Sequence, residues 1–171
     1  MKIYDIAKVV SGNVLGIGVD ETISEILDKN DRVLNCNLLN SFSNTSSTKE
    51  EKKQKLKKIR IKKLRKVFKK KKVDFIICNI NETKKHMKTF IKDSIYINKE
   101  ILYIYNLNDE EYKKEIIKKY KRYNTKIEEI DDTTIKIDNS KAKTNIIKDN
   151  FYLIVDTLIS LFNMISDILL N

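Results

Sequence analysis

Short apolar runs alternate along this chain with amphipathic stretches of about ten residues, the pattern of strands joined by helices. Positions 3–10 read as a short helix ending near Gly12, and 13–18 (NVLGIG) as a buried strand. Asp20 suits the N-cap of a helix over 21–28, which sets Ile23, Ile26 and Leu27 on one face. A second strand is predicted over 32–39 (RVLNCNLL), then a loop over 40–48 (NSFSNTSST). The stretch 49–72 has no helix breaker, and Leu56, Ile59, Leu64, Val67 and Phe68 fall near one face of the helix it predicts. The clearest strand is 73–80 (VDFIICNI), followed by a helix over 82–93 and a strand over 100–107 (EILYIYNL). Asn108 and Asp109 cap a helix running to about Tyr123. Two β-rich runs, 126–130 and 133–138, flank Asp131-Asp132 as a hairpin. A strongly apolar helix, 151–170, closes the chain.

This order predicts an α/β fold: a doubly wound, mostly parallel sheet with helices on both faces and a closing antiparallel β-hairpin. A basic helical insertion at 49–72 and an apolar C-terminal helix are added to it. Positions 1–150 are expected to form one domain of this fold, and 151–171 to pack on that core or in a homodimer. The last helix carries Asp156, Ser160, Asn163 and Asp167 in one narrow polar stripe. Two acids in mid-span are costly in a bilayer, which argues against a membrane span.

Charge changes the picture more than composition does. The chain carries +11 over 171 residues, but 49–72 alone holds 15 Lys or Arg against Glu50 and Glu51. That segment is +13, and the remainder is −2. Lys57, Lys58, Arg60, Lys62, Lys63, Arg65 and Lys66 are the candidate contacts to RNA or another polyanion, through counterion release at phosphates. The abundance of Lys, Ile and Asn, with no Pro or Trp, is also the pattern of AT-rich coding, a source of lysine independent of binding.

Several chemistries are excluded. Cys36 and Cys78 form no CxxC pair and join no Cys/His cluster, so no zinc or other metal site is expected. Both read as reduced core thiols, which points to the cytoplasm, and no signal peptide is read at the N-terminus. No GxSxG or GxxxxGK[ST] occurs, against a serine hydrolase or a P-loop NTPase. His86 is the only histidine and sits among Lys84, Lys85 and Lys88 as a surface residue.

All three glycines lie within positions 12–18, two of them closing the first strand. Gly16 and Gly18 would let a ligand approach the backbone at the carboxyl edge of an open sheet. The stretch 14–22 (VLGIGVDET), the strand 74–79 (DFIICN) and the terminal hairpin resemble the class I S-adenosylmethionine-dependent methyltransferases over residues 1–138. The apolar residues and Gly18 match that family's first strand and loop. Gly16 stands where the family has an acid, and Asp20 and Thr22 stand at later glycine positions. Asn35 or Asn37 replaces the acid that holds the cofactor ribose, and Ile80-Asn81 replaces a Pro-Pro-aromatic sequence. One strand–helix unit of the family's seven-strand sheet is missing or replaced by the basic segment.

The resemblance implies S-adenosylmethionine as cofactor, bound by Gly16, Gly18, Asp20, Asn35, Asn37 and Asn79. Asn79, at the mouth of its strand, becomes the candidate catalytic position. Two readings follow. One is a divergent methyltransferase-like enzyme acting on RNA or another phosphate-bearing acceptor. The other is a non-catalytic module of the same fold that binds nucleic acid or a protein partner through the basic helix.

Overall fold

A computed structural model describes residues 2–39 and 64–142, together with six positions of the C-terminal segment. Helix α1 (Ile3–Val9) leads into β1 (Gly12–Ile17), α2 (Glu21–Asp28) and β2 (Val33–Leu39). After the short helix α3 (Leu64–Val67) come β3 (Val73–Asn79), α4 (Ile80–Thr83) and α5 (Met87–Ile97), the last two joined by a 3-10 turn. Strand β4 (Asn98–Tyr105), helix α6 (Glu110–Lys121) and the hairpin β5 (Lys126–Asp131)–β6 (Thr134–Asp138) complete the described chain.

The six strands form one mixed sheet in the order β2-β1-β3-β4-β6-β5. Strands β1 to β4 are parallel, while β6 runs antiparallel to both β4 and β5. Alternation along the strands divides the core in two. Leu15, Ile17, Ile76, Cys78, Leu102 and Ile104 join Phe90, Ile95, Ile116 and Tyr120 of α5 and α6. Val14, Ile77, Tyr103 and Tyr105 join Ile6, Ile23 and Leu27 of α1 and α2. A side-chain period of two, crossed with helices following successive strands, is what covers both faces.

Local chemistry fixes the helix ends. Asp20 Oδ1 accepts from Ile23 N at 2.9 Å and Asp109 Oδ1 from Tyr112 N at 3.0 Å, so both predicted caps are formed. Asn30 Nδ2 donates to the carbonyls of Ala7, Lys8 and Val10, satisfying the otherwise unpaired end of α1. Lys113 is buried yet charged, because its Nζ lies 2.6 Å from Glu129 and donates to the Asp132 carbonyl. It clamps α6 to the hairpin. Ser94 Oγ and Tyr120 Oη, 2.9 Å apart and buried, join α5 to α6.

Three expectations change. The helix predicted over 82–93 starts at Ile80, breaks into the 3-10 turn Lys84–His86, and runs on to Ile97. The extension follows from Ser94, Ile95 and Ile97 being buried against the sheet. The following strand therefore begins at Asn98, where Asn98 Nδ2 ties three carbonyls of the β3–β4 edge. The basic segment is not helical through residue 72: α3 ends at Val67, and Lys71 takes a left-handed conformation (φ 53°), its amide donating to the Tyr96 carbonyl. Positions 40–63 lie outside the described residues.

In the C-terminal segment, Ile154, Val155, Leu158, Ile159, Leu161 and Phe162 are helical. All but Val155 are at least half exposed. Among the described residues no helix is long and apolar enough to cross a membrane. Cys36 and Cys78 are free thiols, Cys78 buried and Cys36 half-buried. Burial pushes Cys36 up to about 11 and Cys78 up to about 12, so both remain protonated and unreactive.

Candidate functional site

Strand order reverses between β1 and β3, since β1 leads outward to β2 while β3 begins the opposite half of the sheet. Ligands of open α/β sheets bind at such a switch, outside the carboxyl ends of the strands. Here that position is the meeting of Gly18, just after β1, with α4, just after β3. Gly18 has φ +59°, a left-handed conformation that favours glycine. A Cβ on Gly18 would lie 2.0 Å from Glu82 Cγ. The aliphatic stem of Glu82 thus occupies the space beside the Gly18 backbone.

Gly16 is used in the same way. A Cβ there would meet Leu38 Cδ2 at 2.7 Å and Val19 Cγ2 at 3.1 Å. Both glycines serve close packing within the protein, whereas the sequence suggested room for a ligand. The carboxylate of Asp20 is also engaged: it caps α2 and accepts from Tyr4 Oη at 3.3 Å. The negative charge of Asp20 raises the Tyr4 phenol above its ordinary range. Tyr105 Oη lies 3.5 Å from the Gly18 carbonyl oxygen, and burial holds its phenol protonated. Glu82, Tyr105, Tyr4 and Asp20 thus gather around the Gly18 loop.

The remaining predicted residues do not converge there. Asn79 does sit at the mouth of β3, but its Oδ1 accepts from Asn81 N at 3.2 Å as the N-cap of α4. Asn35 lies near the amino end of β2, where its Nδ2 donates to Asn13 Oδ1 at 2.9 Å. Asn13 in turn donates to Asp74, which pairs with Lys99. This polar cluster is at the opposite end of the sheet from Gly18. Asn37 is mid-strand, in register with Leu15. The residue of β2 that faces the Gly18 loop is Leu39, whose carbonyl accepts from Gly18 N at 2.8 Å. Sequence placed the strand correctly but ascribed its carboxyl-end role to side chains lying too early along it. As they stand, the predicted residues are split between the two ends of the sheet: Gly18, Asp20 and Asn79 lie at the carboxyl end and Asn35 towards the amino end.

Of the predicted polyanion contacts, Lys57, Lys58, Arg60, Lys62 and Lys63 fall outside the described residues, as does the side chain of Lys66. Arg65 is described, and it is already engaged. Its Nε lies 2.7 Å from Asp93 Oδ1, its Nη2 donates to the Lys92 carbonyl at 2.7 Å, and its guanidinium stacks 4.8 Å above the Tyr96 ring. Arg65 therefore anchors the basic segment to α5. Lys69, Lys70 and Lys72 are exposed, while Lys71 Nζ donates to the Asn139 carbonyl at 3.2 Å. No protein-family model and no curated protein matches the chain.

Asp20 provides a direct check on these assignments. Replacing it with Ala removes the α2 cap, and the expected loss is about 1 kcal/mol. Thermal unfolding of Asp20→Ala measures it, and a variant as stable as the parent would show that Asp20 is not committed to the helix.

Proposed function

We propose that the chain is a non-catalytic, Rossmann-like module that binds a phosphate-bearing polymer, RNA above all, through the basic segment 49–72. The doubly wound layout and the likeness to class I S-adenosylmethionine-dependent methyltransferases belong to this reading. Support for the likeness comes from a sheet whose last strand, β6, inserts between β4 and β5, in keeping with the family's closing hairpin. The observation that carries the non-catalytic reading is Glu82 lying where a Gly18 Cβ would be. A cofactor entering at the switch point would have to displace that side chain and approach the Asp20 carboxylate. Support for polyanion binding comes from the +13 charge of 49–72 and the exposure of Lys69, Lys70 and Lys72 at its end. Anchored by Arg65, the segment starts from a fixed point on α5.

Two measurements test this reading on the full chain. Calorimetric titration with millimolar S-adenosylmethionine gives no binding heat, and a saturable isotherm would restore the enzyme reading. Single-stranded RNA binding weakens with salt, and in the five-fold variant of Lys57, Lys58, Arg60, Lys62 and Lys63 to Gln the log–log salt slope becomes shallower. The expected change is about 0.7 for each side chain that contacts a phosphate. An unchanged slope removes 49–72 as the binding surface.

A further inference from the structure

A second basic feature lies outside 49–72. Helices α5 and α6 follow adjacent parallel strands, β3 and β4, and so present their N-terminal halves at the carboxyl side of the sheet. Ser94 and Tyr120 hold the later parts of the two helices together. Towards their starts a cavity of about 310 Å³ lies between them, lined by residues 84–89 and by Tyr112, Glu115 and Lys119. Four of its lining residues are lysines: Lys84, Lys85, Lys88 and Lys119. Among the described lining residues the one carboxylate is Glu115, which pairs with Lys119. Lys84 and Lys85 stand side by side in the 3-10 turn ahead of α5, and an anion beside them relieves the repulsion of like charges.

The wall adds one feature that suits an oxyanion. Lys84 Nζ stands 5.2 Å from the centre of the Tyr112 ring, which holds its ammonium beside the cleft rather than trailing in solvent. The Tyr112 hydroxyl itself is out of solvent reach and without a hydrogen-bond partner, its side chain packed against the core. Burial raises Tyr112 to about 12, so that hydroxyl keeps its proton at neutral pH. The cavity is of a size that small-ligand sites use.

The geometry points to a phosphate-binding cleft between α5 and α6, with Lys84 and Lys85 facing the anion. Two sources share that chemistry: a phosphodiester strand and the phosphate of a free nucleotide. Lys88 is one helical turn from Lys92, whose carbonyl receives Arg65 at the end of the basic segment. A strand held by 49–72 would thus pass near the cleft.

The test uses the full chain and the variant Lys84→Gln/Lys85→Gln, both exposed positions, with Lys8→Gln/Lys29→Gln as a charge-matched control elsewhere. Fluorescence anisotropy follows a labelled ten-residue oligoadenylate, with AMP as competitor. The cleft variant is expected to bind at least five-fold more weakly, with a salt slope shallower by about 1.4, two contacts at about 0.7 each. The control keeps the parent's affinity and slope. If AMP displaces the oligonucleotide from the parent but not from the variant, the cleft takes a nucleotide phosphate; if AMP does not compete, it takes the strand. Equal losses in variant and control, or none in either, overturn the cleft. A second readout needs no variant: inorganic phosphate shifts the amide resonances of 84–89 and 112–119 in the parent chain, and unmoved resonances likewise overturn it. Because the five-fold variant of 57–63 leaves the cleft intact, failure of one surface is read separately from failure of the other.

Discussion

Gly18→Ala is expected to be among the most destabilising single-methyl additions in the molecule. A non-glycine residue in the left-handed conformation costs about 1–3 kcal/mol. The new Cβ, 2.0 Å from Glu82 Cγ, adds an overpacking cost of about 1–3 kcal/mol. The sum, about 2–6 kcal/mol, is a large part of a stability of about 5–15 kcal/mol. Melting temperature should fall by roughly 6–18 °C for a chain of this size. The double variant Gly18→Ala/Glu82→Ala separates the two causes. Shortening Glu82 removes the collision but not the backbone strain, so the double variant should recover part of the loss. A double-mutant cycle with no coupling would mean that Glu82 does not occupy the space beside Gly18. The functional reading, which depends on that contact, would then lose its support.

The second large effect is at Arg65. The Asp93 side chain is only 7% exposed, and Arg65→Ala leaves its carboxylate without the guanidinium 2.7 Å away. Breaking a fully buried pair costs about 3–5 kcal/mol. Since 27% of the Arg65 side chain meets solvent, about 2–4 kcal/mol is the reasonable expectation at neutral pH. The loss has a pH signature. Burial raises the Asp93 carboxyl above its ordinary value, and Arg65 opposes that shift. A carboxyl raised on folding binds its proton more tightly in the folded state, so the fold loses stability as pH rises from the unfolded value through the folded one. Without Arg65 that window extends upward. Parent and Arg65→Ala should therefore differ most near pH 7 and converge as pH falls towards 4. Denaturant unfolding across that range measures the gap, and Asp93→Asn in the variant should abolish its pH dependence. A gap independent of pH would assign the loss to the Tyr96 contact instead.

These two contacts also show where sequence reading stops. Strands β1 to β4 were legible because each is a short, largely apolar run, the hairpin because β-rich runs flank Asp131-Asp132, and the caps because Asp20 and Asp109 directly precede their helices. Helix α5 was misjudged at both ends for a physical reason. Asn79 already caps the chain at Ile80, and the apolar run Ser94–Ile97, which resembles the start of a strand, is buried as helix. The site was less legible than the fold. Gly18 and Glu82 are 64 positions apart, and nothing in either stretch announces that one fills the other's missing side chain. The asparagines of β2 looked like substitutes for an acid because the strand's end cannot be fixed from its composition. Arg65 looked like one more cation of a basic run, since its partner Asp93 lies on another helix. The lysines of the α5–α6 cleft are scattered through ordinary helical sequence, and only the packing of those helices gathers them.

The strand order carries a consequence for how the chain is made. Strand β5 leaves the ribosome before β6 but has no neighbour except β6 among the described strands, and β4 offers its unpaired apolar edge until β6 fills it. Vectorial synthesis therefore cannot complete the sheet strand by strand. The nascent protein must hold an open hydrogen-bonding edge through the whole of α6 and β5, and that interval is when an unwanted partner has access to it.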